Sequence, residues 1–152
     1  MASTKIIKGI IGACLTPFDD NDRIDYPALE KEMDFLLADC DAVTIAAVEA
    51  AEYTMLTREE RKELLKVGTQ MVDKRVPVII GCSSPSPREV IDLAEYAAMI
   101  GGDFVQVLMP LRPWGGQPTI AELMEFYTQV ASASPLPVVC YHNPGPGADP
   151  PQ

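Results

Sequence analysis

The chain has 152 residues, 47% of them apolar and 22% charged, an ordinary balance for one globular domain. Twelve Lys and Arg stand against 22 Asp and Glu, and the formal net charge of −10 disfavours nucleic acid and anionic membrane surfaces as partners, since both need clustered cations. No apolar run approaches the ~20 residues of a membrane span, and the N-terminus lacks the charged-then-apolar pattern of a secretory leader.

The first predicted strand covers residues 10–15, nearly all apolar, as in a strand buried on both faces. It runs into Thr16-Pro17-Phe18 and an acidic turn. Asp25 is a plausible cap for a helix reaching about Asp39, with Leu29, Met33, Leu36 and Leu37 on one face. The second strand is expected over 42–48. Thr57 and Glu60 then have capping-box spacing and open a helix to about Asp73. The third strand is expected over 76–82. Ser86, Pro87 and Glu89 supply a cap, a first-turn proline and a third-position glutamate for a helix ending near Ile100, where Gly101-Gly102 permits a left-handed stop. A fourth strand, 104–109, leads into a Pro/Gly-rich loop, and Thr119 with Glu122 opens a helix to about Ala133. The fifth strand, 137–141, is followed by a tail whose last part, 145–152, is predicted irregular.

Strand and helix thus alternate with a period of about 30 residues, the βα unit of a parallel sheet. Residues 1–152 read as a single domain. A doubly wound sheet and a barrel both fit this pattern. The first strand–helix turn lacks GxGxxG, which lowers the weight of a dinucleotide-binding fold, and no GxxxxGK[ST] is present. A (β/α) barrel needs eight units and roughly 250 residues, so the chain is expected to be the N-terminal part of a TIM-barrel type, truncated after the fifth strand. The four cysteines, Cys14, Cys40, Cys82 and Cys140, contain no CxxC pair. They read as free thiols in a reducing cytoplasm, and with His142 as the sole histidine no metal site is expected.

Gly12-Ala13-Cys14-Leu15-Thr16-Pro17-Phe18 followed by Ile24-Asp25, then Glu52 with Thr54-Met55-Leu56-Thr57 and Glu60, then Val78-Ile79-Ile80-Gly81, and finally Tyr141 with Asn143-Pro144, lie in one register along the chain. In that register the sequence resembles the dihydrodipicolinate synthase / N-acetylneuraminate lyase family. The resemblance implies a (β/α)8 barrel, a homo-oligomeric assembly and class I aldolase or lyase chemistry on a 2-keto acid such as pyruvate. In that chemistry a sixth-strand lysine forms a Schiff base and no added cofactor is needed. It makes Tyr141 the candidate catalytic proton shuttle, and Ala13, Glu49, Ala50 and Arg112 candidate substrate-binding positions. If Tyr141 points inward, strand alternation puts Val139 and Asn143 inward and His142 outward, a structural position.

The departures from the family pattern are informative. The strand-2 loop, which in the family usually reads Gly-Thr-Thr-Gly-Glu, is Val48-Glu49-Ala50-Ala51-Glu52 here, without either hydroxyl. Glu49 places a carboxylate where the substrate carboxylate is expected, so it turns away, or the substrate differs, or the site has decayed. Ala50 still offers a backbone N–H. Leu111-Arg112-Pro113-Trp114 replaces the loop that usually carries a tyrosine across the dimer, and Arg112 is either an anion-recruiting group or a solvated cation. Pro146 stands where synthase members carry an arginine, which speaks for a lyase-like member with another substrate. The lysines present, Lys5, Lys8, Lys31, Lys62, Lys66 and Lys74, precede the first strand or fall on helices, so the imine-forming lysine is expected to lie in a missing C-terminal half. The alternative is a non-catalytic half-barrel that pairs with itself or with a partner half.

Overall fold

A computed structural model describes residues 5–47, 52–110 and 118–142. Five strands alternate with four helices: β1 (Ile11–Cys14), α1 (Tyr26–Asp39), β2 (Ala42–Ile45), α2 (Arg58–Val72), β3 (Val78–Gly81), α3 (Pro87–Ile100), β4 (Phe104–Leu108), α4 (Ile120–Ala133) and β5 (Val138–Tyr141). All neighbouring pairs are parallel and the sheet order is β1-β2-β3-β4-β5. A strictly sequential order has no reversal point, which a doubly wound sheet requires.

The helices share one side of the sheet. Val43, Ile45, Val78, Ile80, Cys82, Val105 and Val107 form one core cluster with Leu29 and Met33 of α1, Leu64 and Leu65 of α2, Leu93 and Ala97 of α3, and Phe126 and Val130 of α4. Burying each large aliphatic side chain there contributes about 2 kcal/mol. The alternate residues face the other way. Ala42, Ile79 and Phe104 form a second, smaller cluster, joined by Val139 and by Ile7 from the leading segment. Helices outside and a small apolar layer inside make this the wall of a TIM-type barrel, described over five units.

The helix starts follow the sequence closely. Asp25 accepts from the Ala28 amide at 3.0 Å, and Thr57–Glu60 and Thr119–Glu122 form complete capping boxes, each cap contributing about 1 kcal/mol. The third expected cap does not form. Ser86 makes no side-chain cap bond, and its own amide donates to Ser84 Oγ, two residues earlier, at 3.2 Å.

Two strands also differ from expectation. β1 is buried on one face only, with Ile11 43% exposed on the other, because its inner side has no facing layer among the described residues. β2 ends at Ile45 rather than 48, since Ala46 takes a left-handed φ of 49° and turns the chain out of the ladder. A single 3-10 turn, Tyr53–Met55, follows in place of plain loop.

The amino ends of the strands are closed. Asp103 accepts from Lys5 Nζ at 2.9 Å and from the Val78 amide at 3.0 Å. A cavity of about 330 Å³ lies beside it, bordered by Asp73, Lys74 and Gly101 among others. No helix among the described residues is long and apolar enough to cross a membrane.

Candidate active site

The carboxyl ends of the five strands are joined by a chain of polar contacts. The Thr16 amide, just beyond β1, donates to Glu52 Oε2 at 3.0 Å. Glu52 has a left-handed φ of 51° and precedes Tyr53, whose ring lies 4.5 Å below the Arg61 guanidinium. From α2, Arg61 Nη2 donates to the Gly81 carbonyl at 2.9 Å and Nη1 to the Ser83 carbonyl at 3.0 Å. The Leu108 amide at the end of β4 donates to Ser83 Oγ at 2.9 Å, and the Met109 amide to the Tyr141 carbonyl at 3.0 Å. Arg61 is 8% exposed, and its Nε is buried without a partner among the described residues. Burial lowers its pKa, an effect opposed by Cys82, Tyr53 and Glu89, and a guanidinium stays charged under any ordinary condition.

The chain leaving β2 crosses the inner face of β3. A Cβ on Gly81 would collide with the backbone of Ala46 and Ala47, so glycine is what lets that backbone pass. Gln106, the register partner of Gly81 on β4, donates its Nε2 to the Ala47 carbonyl at 3.3 Å. One turn of the pleat deeper, Thr44 is 4% exposed with its hydroxyl unpartnered among the described residues.

The candidate residues fall as follows. Tyr141 ends β5, opposite Leu108 in register, and is 36% exposed. Ala13 sits on β1, opposite Thr44, exposed on the inner face. Since β1 and β5 are the two outer strands of the described sheet, the two are not neighbours across the ladder. Glu49, Ala50 and Arg112 lie outside the described residues, as do Asn143, Pro146 and the tail 145–152. His142 borders a cavity of about 130 Å³ with Leu123 and Tyr127 of α4. Arg61 and Gln106 were not singled out by sequence, and Gly81 entered only as the end of the third-strand motif. The signal for Gln106 was a lone amide inside the apolar run of β4; Arg61, inside an ordinary charged helix start, gave none.

Every lysine is described. Lys5 pairs with Asp103 at the amino ends of the strands, Lys66 lies 3.7 Å from Glu63, and the Lys62 ammonium lies 5.0 Å from the Tyr96 ring centre. The cysteines are free. Burial pushes the Cys14 and Cys82 thiols from 9.0 up to about 12. Both therefore favour the neutral form in the folded state, and the unfolded chain ionises first as pH rises. Stability is complete below pH 9 and falls between pH 9 and 12, by about 1 kcal/mol per pH unit for each thiol. Urea midpoints measured from pH 8 to 10.5 are expected to drop steadily above pH 9; a flat profile would refute the burial of these groups as neutral thiols.

A sequential parallel sheet with its helices outside, an inner face, and polar groups gathered at the carboxyl ends define the TIM-barrel class of fold. Comparison makes the assignment specific: the model of the dihydrodipicolinate synthetase family matches residues 6–149, and the chain belongs to that family. It is 31% identical over 140 residues to the 4-hydroxy-tetrahydrodipicolinate synthase of Bartonella quintana, covering 92% of this chain and 47% of that protein. It is 37% identical over 140 residues to the enzyme of the same name from Rickettsia bellii, covering 91% and 46%. Among solved structures, a dihydrodipicolinate synthase from Bacillus anthracis superposes with a TM-score of 0.84 at 32% identity, over 93% of this chain and 48% of that one. YagE, a prophage protein of the same family from E. coli K12 solved with pyruvate, gives 0.83 at 31%, over 92% and 46%. The chain spans about half the length of the curated relatives it matches.

Proposed function

We propose that these residues form the first five strand–helix units of a family lyase that acts on a 2-keto acid such as pyruvate. The imine-forming lysine would come from sequence outside these 152 residues. The observation that carries this reading is Tyr141, held at the carboxyl end of β5 by the Met109 amide on its carbonyl, within a chain of the family whose relative YagE was solved with pyruvate. The amine attacks the keto carbon, water leaves, and the iminium accepts the electron pair released when the adjacent carbon–carbon bond breaks or a proton departs. Tyr141 would carry the proton to and from the α carbon next to the iminium. Ala13, Glu49, Ala50 and Arg112 would face the substrate. The changes at Glu49 and Pro146 support an aldol substrate other than that of the synthases. The free thiols support a reducing, cytoplasmic setting.

The experiment is reduction with borohydride in the presence of pyruvate, read by intact mass. No pyruvyl adduct is expected on the 152-residue chain, because its lysines sit on helices or at the amino ends of the strands; efficient labelling would overturn the assignment of the amine elsewhere.

A second reading, a non-catalytic half-barrel that pairs with a copy or with a partner half, is favoured by the exposed inner residues Ile11 and Leu15 of the β1 segment, 43% and 47% exposed. Light scattering that gives a clean, concentration-independent dimer supports it; a monomer counts against it.

A further inference from the structure

We propose that Gln106 is a positioning residue: from the inner face of β4 it fixes the Ala47 carbonyl, and so sets the direction in which the chain leaves β2 toward the substrate-binding positions. Its role toward substrate rests on the lyase reading above. Three observations converge on it. Ala46 turns out of the ladder at φ 49°, a strained conformation for a residue with a side chain. Gly81 makes room for the Ala46–Ala47 backbone, which would otherwise collide with a Cβ. Gln106 stands beside Gly81 in register, 5% exposed, with its Nε2 3.3 Å from the Ala47 carbonyl.

A buried amide among Val105, Val107 and Leu108 is costly unless it is bonded. Here the bond it makes is to a carbonyl that lies beyond the end of the β2 ladder, just past the left-handed turn. The far end of the same crossing is also held, by the Thr16 amide on Glu52 and by Arg61 on Tyr53. Gln106 therefore acts at the entry of a connection whose exit is independently anchored. It touches no reacting atom and works through the backbone alone.

Nitrogen-15 NMR of the whole chain tests this in two arms. In the first, the Gln106 side-chain amide protons are expected to exchange with solvent at least tenfold more slowly than those of Gln70, which is exposed on α2. Equal exchange overturns the contact. In the second, wild type and Gln106→Met are titrated with pyruvate. The Ala47 and Glu52 amides are expected to shift in wild type, and the half-saturating concentration to rise at least tenfold in the variant, while the melting temperature is held or raised by the apolar replacement. A variant that responds like wild type overturns the positioning role, and so does one whose only change is a lowered melting temperature. A wild type that ignores pyruvate while Gln106 stays protected overturns Gln106's role toward substrate but leaves the contact standing; the lyase reading is tested separately, by the borohydride experiment.

Discussion

Replacing Arg61 by methionine is expected to destabilise the chain by about 3 kcal/mol, read as a lowered urea midpoint. The guanidinium occupies the junction of α2, the 3-10 turn and the end of β3. It satisfies the carbonyls of Gly81 and Ser83 and covers the Tyr53 ring. Hydrogen bonds from a charged donor contribute about 1.5–3 kcal/mol each. Methionine returns part of that through apolar contact, and losing a buried cation removes its desolvation cost, which is why the expected total stays near 3 rather than 6. Arg61→Lys should recover less than half of the loss. One ammonium cannot fork to two carbonyls while stacking on a ring, and it is more strongly hydrated than a guanidinium. A loss under about 1 kcal/mol for the methionine variant, or full recovery by lysine, would show that the fork has no energetic role.

Gly81→Ala is expected to be nearly as damaging, at about 3 kcal/mol, for a different reason. The added Cβ meets backbone atoms of Ala46 and Ala47, which have no rotamer to change. Either the β2 exit shifts, breaking the Gln106 contact, or β3 bends away from its partners. Gly68→Ala is the control. There the new Cβ meets the tip of Ile45, a side chain that can move, and alanine inside α2 brings a gain of about 1 kcal/mol in helix propensity. Its net effect should lie within about 1 kcal/mol of zero. If the two substitutions cost the same, the close approach of the β2 exit to β3 is not what selects glycine at position 81.

The sequence made legible what depends on local chemistry. Thr57 with Glu60 and Thr119 with Glu122 named two helix starts because a capping box is closed within four residues. The same spacing misled at Ser86, whose side chain makes no cap bond and whose own amide donates to Ser84 Oγ. Strand cores were legible as apolar runs, but their ends were not. β2 read as a seven-residue, largely apolar run and stops after four, because the turn at Ala46 is imposed by β3 and β4 rather than by alanine's own preference. Arg61 is the clearest case of invisible function: within Arg58-Glu59-Glu60-Arg61-Lys62 nothing distinguishes it from its neighbours, and only the tertiary placement of two carbonyls and one ring does. Tyr141 became a candidate through family resemblance alone, since a tyrosine closing an apolar strand is otherwise an ordinary residue.

Ile7 reaches the inner cluster from below, and Lys5 is tied to Asp103 at the same end. The amino-terminal segment thus packs at the end of the strands opposite to the one that carries Tyr141. An affinity handle, a fluorophore or a surface tether joined ahead of Lys5 would emerge beneath the sheet, on the side away from Tyr141. Immobilised molecules would then turn the carboxyl ends of the strands away from the support, which makes this terminus the natural point of attachment for binding work.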